Sequence, residues 1–163
     1  MQNPLADLPP PPPEIVFVGE VPTQALFFDT NSALQPEVER ARQQGRPALI
    51  SALVYAELTS RKKGPKGLHS IDTNLMDRGL QVVPFDQVSA RCFFDLNRQL
   101  HFDAPPLLRQ NETPRACRDR LRFDLAVFAA ALRHRAMLIT DNTNDFMHFP
   151  YKSYWRTRVE AFP

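Results

Sequence analysis

Short apolar runs alternate with helical patterns along this chain, and that alternation limits its fold more than any other feature. Residues 25–28 (ALFF), 48–51 (ALIS), 80–83 (LQVV) and 136–139 (AMLI) have the length and composition of strands covered on both faces. Helical patterns lie between them. One is expected over 32–44, stopped by Gly45, and a second begins near Val54. A short helix is expected over 68–78, and another over 86–99 with Val88, Cys92 and Leu96 on one stripe. From Asp124 onward, Leu125, Phe128, Ala129 and Leu132 recur at helical spacing, and three alanines at 129–131 favour close packing. Strands joined through helices run parallel, because a parallel pair needs a long crossover. The expected class is therefore α/β, with a mostly parallel central sheet of four to five strands. Residues 158–162 are expected to close that sheet as a last strand.

Three segments stand outside the alternation. Residues 1–24 carry five consecutive prolines at 9–13, which favour extended polyproline II over packing, so this stretch is expected to be a flexible tail and 25–163 the folded domain. Residues 15–18 fit a strand or the tail equally well. The run RKKGPKG, 61–67, is expected to form a basic turn, and 101–117 a long, proline-bearing loop. Two cysteines, Cys92 and Cys117, make neither a disulfide framework nor a metal motif. No apolar run approaches the roughly 18 residues of a membrane span, and no signal-peptide pattern opens the chain. The expectation is a soluble cytoplasmic protein with reduced thiols. A formal charge of +2 does not by itself argue for nucleic acid, although arginine supplies sixteen of the twenty basic residues and its planar fork suits phosphate.

The chemistry resides in the carboxylates. Helices that cover a parallel sheet run antiparallel to its strands, so a helix start at Asp124 arrives at the same sheet edge as the strand end that leads to Asp141 and Asp145. Asp29 follows the first strand, and Glu57 lies in the first turns of the helix after the second. Five acids from four separated segments thus meet at the edge where open parallel sheets bind ligands. Like charges gathered in one place repel, so such a cluster calls for a cation or shared protons. Carboxylate oxygens suit Mg²⁺ or Mn²⁺, whereas zinc would favour His or Cys. His69, His101, His134 and His148 show no ligand spacing, and His134 and His148 are expected to be structural or surface residues. Singly, each acid also has an ordinary explanation. Asp29 could end a strand in a turn, Asp124 and Asp145 could cap helices, and Glu57 could be solvated. Their joint placement favours the site.

FFDTN (27–31), ALVYAEL (52–58), DLAVFAAAL (124–132) and LITDNTNDF (138–146), in this order and spacing, resemble the PIN-domain family, and within it the VapC-type toxins of toxin–antitoxin pairs. The resemblance covers about residues 25–162. It implies a three-layer α/β/α fold and an endoribonuclease that uses one or two Mg²⁺ (or Mn²⁺) ions to hydrolyse RNA. Carried over by position, the family's acids fall on Asp29, Glu57, Asp124 and Asp145, as catalytic residues and metal ligands. Thr30, Asn31 and Thr140 would support them by hydrogen bonds, and Asp141 and Asn142 occupy the positions between Thr140 and the terminal Asp-Phe, with Asp141 a helper acid. The partners implied are an RNA substrate, a small antitoxin protein and a second copy of the chain. Arg61, Lys62 and Lys63, after Glu57, and Arg115, Arg118 and Arg122, before Asp124, are candidates for RNA contact. The chain departs from compact toxins in its proline-rich leader, its basic segment 61–67 and its loop 101–117. Two other functions compete. A haloacid-dehalogenase-type phosphatase would need a second Asp where Asn31 stands. A PIN-like module that binds RNA or protein without cleaving it has no need for all four acids.

Overall fold

Residues 26–28 and 137–139 form short apolar strands that end where the sequence turns polar. The computed structural model of the chain describes residues 24–33 and 35–162; the proline-rich tail and the undecided stretch 15–18 lie outside the described residues. β1 (Leu26–Phe28), β2 (Ala48–Ser51), β3 (Leu80–Val83), β4 (Met137–Ile139) and β5 (Trp155–Arg156) form one sheet in the order β3-β2-β1-β4-β5. All four pairings are parallel, with Leu26 opposite both Ala48 and Met137. The central strands are buried along their length, as their unbroken apolar character requires. Helices α1 (Pro36–Gln43), α2 (Ala52–Ser60), α3 (Gly64–Asp77), α4 (Gln87–Gln99), α5 (Pro114–Arg133), α6 (Thr143–Phe146) and α7 (Arg158–Ala161) flank the sheet. The α/β class and the parallel sheet are as expected from the sequence. No helix among the described residues is long and apolar enough to cross a membrane.

Four boundaries differ from expectation, each for a local reason. α1 begins at Pro36, not at 32, because proline fixes its own φ for a first helical turn and disfavours helix in the residue before it. It ends as expected at Gly45, whose φ of +67° permits a left-handed cap, with Arg46 N–H donating to the Ala41 carbonyl at 3.0 Å. The basic run 61–67 is not all turn, since Gly64 and Pro65 open α3. Within the expected strand 158–162, Arg158–Ala161 is helix: Thr157 and Glu160 cap each other's backbone, and Trp155–Arg156 supplies the last strand instead.

The largest difference concerns α5. Thr113 accepts from the Ala116 N–H at 3.2 Å and Pro114 occupies the first turn, so the helix starts ten residues before Asp124. Asp124 is neither a helix start nor an N-cap; it sits in the middle of a 20-residue helix. The loop expected over 101–117 is shortened accordingly to 100–113. Cys117, Leu121, Leu125 and Phe128 form the buried stripe that packs α5 into the core. Cys92 and Cys117 are free and buried, and burial pushes the Cys92 thiol up to about 11. His134 stacks on Phe27, a structural role as expected.

Phe128 is fully buried, edge-on to Phe146 at 5.8 Å and tilted against Phe149 at 6.1 Å. It ties α5 to the segment after β4, the two pieces that deliver Asp124 and Asp145. Phe128→Ala is expected to cost about 3–5 kcal/mol in denaturant unfolding, through lost burial and a cavity that helix and strand cannot close.

Candidate active site

The strand order opens a crevice at one place. The chain leaves β1 to build β2 on one side, while β4 lies on the other side of β1. At such a switch point the following loops diverge beyond the C-terminal strand ends. Asp29 follows β1 and Thr140 follows β4, so both stand at the mouth of that crevice. Asp29, Thr30, Asn31, Glu57, Asp124 and Asn142 line an open cleft of about 160 Å³, with Arg61, Phe123, Val127 and Phe146. That space is sufficient for an ion with several waters, each water taking roughly 30 Å³.

Every acid here is held by a fixed donor. Asp29 Oδ1 accepts the Ser32 backbone N–H at 2.8 Å, which closes the turn after β1. Glu57 is brought in by α2, whose start is fixed by the Ser51 side chain accepting from Val54 N–H at 3.1 Å. Its Oε2 accepts from the Thr30 hydroxyl, and its Oε1 accepts from Arg61 at 2.6 Å. Asp124 Oδ2 accepts from the Asn142 amide at 2.8 Å, and the same amide donates to Asp145 Oδ2 at 3.2 Å. Thr140 is fully buried, and its hydroxyl accepts the Asn142 backbone N–H at 3.1 Å, fixing that residue's position.

Electrostatics single out Asp124. Burial, then the charges of Asp145 and Asp29, push its carboxyl up to about 6; the Asn142 hydrogen bond acts the other way, and Glu57 adds a smaller upward push. Asp29, Glu57 and Asp145 are thus within electrostatic reach of Asp124, although they come from distant parts of the chain.

The expected residues do not all face the cleft. Asp145 is buried and bound by Arg120 at 2.5 Å and Arg109 at 3.2 Å. Asp141 is taken up by Arg158 at 2.6 Å, away from the cleft lining. Of the basic candidates, Arg61 lines the cleft, while Lys62 and Lys63 are exposed beside it in sequence, between α2 and α3. Arg115 and Arg122 both pair with Asp119, and Arg118 lies over the Phe102 ring. No histidine lines the cleft. Sequence reading missed Arg109, Glu112 and Arg120. For Arg120 a signal was present: it precedes Asp124 by four residues on one helix, which places both on the same face.

Whether a hard cation suits this cleft follows from its donors. They are carboxylate, hydroxyl and amide oxygens, which favour Mg²⁺ or Mn²⁺ over zinc. Burial first, and then the neighbouring acids, raise the Asp124 carboxyl, and a cation would offset the share due to those charges. Among the described residues, however, no three acidic, histidine or cysteine side chains are gathered closely enough to hold a metal as they stand. Glu57 is drawn to Arg61, and Asp145 to Arg120 and Arg109. The donor types fit a hard cation, while Glu57 is engaged by Arg61.

No family model matches this sequence, and no curated protein matches it. Solved structures do. The chain is similar to VapBC-1 from nontypeable Haemophilus influenzae (17% identity, TM-score 0.59, covering 83% of this chain and 98% of that one). It is also similar to VapBC2 from Rickettsia felis bound to a DNA fragment from their promoter (19%, TM-score 0.57, 82% and 98%). A toxin–antitoxin complex from Klebsiella pneumoniae gives 20% identity and a TM-score of 0.56 over 82% and 98%. At such identities the likeness establishes the fold, and it bears out the PIN-like architecture expected from the sequence.

The Asp124 environment has a measurable consequence. An acid whose pKa rises on folding holds its proton more tightly in the folded state, so its contribution to stability falls as pH rises from about 4 toward 6. Asp124→Asn removes that penalty. In urea unfolding with EDTA present, the variant is expected to be more stable than wild type at pH 7, by up to about 3 kcal/mol at ~1.4 kcal/mol per pKa unit. The difference should close below about pH 4.

Proposed function

We propose that this chain is a metal-dependent endoribonuclease, and that it acts as the toxin of a toxin–antitoxin pair in the cytoplasm. One observation carries the nuclease reading: Asp29, Glu57 and Asp124, from three separate segments, line one cleft at the switch point of a PIN-like sheet. The toxin reading rests on the fold shared with toxin–antitoxin structures, and it implies a small antitoxin partner and a second copy of the chain as further contacts.

Asp29, Glu57 and Asp124 would hold Mg²⁺ or Mn²⁺. When bound, the ion supplies Lewis-acid polarisation of the phosphate and a lower pKa for a bound water. The protein's own residues do the rest. Asn142 fixes the Asp124 carboxylate, and Thr30 fixes Glu57, so that both oxygens are aimed before substrate arrives. Arg61 lines the cleft and, released from Glu57, can pair with a phosphate oxygen; Lys62 and Lys63 extend positive charge from it. Arg115, Arg118 and Arg122 are held by Asp119 or Phe102 and serve the RNA less directly. Phe123 and Phe146 give the cleft an apolar wall beside the charged groups. Water is the nucleophile in this scheme, and no serine or cysteine stands among the residues that line the cleft.

A PIN-like module that binds RNA or protein without cleaving it is the second reading. The pairing of Glu57 with Arg61 favours it, because an acid engaged by arginine is not poised for metal.

Incubation of the protein with structured and single-stranded RNA separates these readings. With Mg²⁺, cleavage is expected, and it should disappear in EDTA. Asp29→Asn and Asp124→Asn should each lower it by at least 10²-fold, the scale on which loss of an electrostatic group acts. Cleavage that survives chelation or both substitutions would refute the metal mechanism, and RNA binding without cleavage would establish the non-catalytic module.

A further inference from the structure

The four matched acids fall into two groups when their counter-charges are assigned. Among the described residues, Asp29, Glu57 and Asp124 line the cleft with a single guanidinium, that of Arg61. Asp145 lies outside that lining, against two guanidiniums. Arg120 donates to Asp145 Oδ1 at 2.5 Å, and Arg109 reaches Oδ1 at 3.2 Å and Oδ2 at 3.5 Å. The Asn142 amide takes Oδ2 at 3.2 Å. A carboxylate offers about four lone-pair directions, and all four are spoken for.

The arginines are themselves anchored. Arg120 makes a two-pronged pair with Glu112, at 2.9 and 3.1 Å, and donates to the Leu107 carbonyl at 2.9 Å. Its pairing with Glu112 and Asp145 holds its proton more tightly than usual, and hydrogen bonds from Arg120 and from the Arg109 backbone hold Glu112 down at about 2. A cation at Asp145 would have to displace these bonds and sit beside two positive groups.

We infer that Asp145 is a positioning residue and not a metal ligand: clamped by Arg120 and Arg109, it holds the Asn142 amide against Asp124. The cleft is left with three acids and one arginine, a net of two negative charges that one divalent cation neutralises. The relay Glu112–Arg120–Asp145–Asn142–Asp124 also gives the loop 100–113 its part in the site, since Leu107, Arg109 and Glu112 belong to it. The inference rests on the reading of the cleft as a metal site for its first half; the hold on Asn142 stands apart from any metal.

Two readouts on the full chain test it. Free Mn²⁺ is measured by electron paramagnetic resonance during titration, and the Asn142 side-chain amide is followed by ¹⁵N NMR without metal. Wild type is expected to bind one Mn²⁺. Asp145→Asn should keep that stoichiometry with affinity within about threefold, while Asp124→Asn weakens it at least tenfold. Without metal, Asp145→Ala should move the Asn142 amide signals toward those of a free side chain, and Arg120→Ala should move them in the same direction. Loss of Mn²⁺ binding in Asp145→Asn as large as in Asp124→Asn would overturn the inference. An absence of Mn²⁺ binding by wild type would overturn the metal reading instead, and the Asn142 signals would then decide the positioning role alone, against it if they stay in place. If the Asp145 variants fail to fold, Arg109→Ala, at an exposed position, replaces them: unchanged Mn²⁺ binding with shifted Asn142 signals supports the inference, and unshifted signals overturn it.

Discussion

Repulsion between carboxylates brought to one half-buried edge is the constraint around which this structure is arranged. Three acids within electrostatic reach of a fourth, Asp124, are unfavourable unless donors or cations offset their charge. The fold supplies a different answer for each. A backbone N–H at the β1 turn serves Asp29, a hydroxyl and a guanidinium serve Glu57, an amide serves Asp124, and two arginines serve Asp145. Asp124 is met by a neutral amide, and burial, followed by the charges of Asp145 and Asp29, pushes its carboxyl up to about 6. On the proposed reading, a cation would offset the charge that these donors leave uncompensated.

That arrangement depends on strand order. With β1 between β2 and β4, the loops after β1 and β4 part, and α2 enters from the β2 side with Glu57. An order that parted β1 from β4 would separate Asp29 from Asn142 and the acids it reaches. The aromatic contacts of Phe128 with Phe146 and Phe149 lock α5 against the segment that follows β4, so the distance between Asp124 and Asn142 is set by core packing. Cleft geometry and hydrophobic core are here the same set of contacts seen from two sides.

Asp124 reaches the sheet edge, but not as the helix start that the sequence pattern suggests. Asp124 reads as a helix start because an apolar stripe follows it, yet the true start signal is Thr113-Pro114, hidden in a stretch that looks irregular. The residue reaches the sheet edge from mid-helix because α5 is twice as long as its apolar pattern after Asp124 suggests. The last strand was misplaced in a similar way: the alternation in 158–162 looks like strand, but the Thr157–Glu160 capping box decides for helix. Both errors arise where local capping competes with hydrophobic pattern over a few residues.

What the sequence determined by itself is the alternation of strand and helix, the parallel sheet and the identity of the acids that meet at its edge. Those follow from periodicity and from the rule that parallel strands need crossovers, which are properties of the chain read in order. Tertiary structure alone decided which acids share the cleft and which are already engaged. Arg120 and Arg109 claim Asp145, Arg158 claims Asp141 and Arg61 holds Glu57, each across a spacing that no local pattern encodes except the helical turn of Arg61. Pairing between charges is a matter of distance after folding, and distance between remote residues is written in the packing of the core.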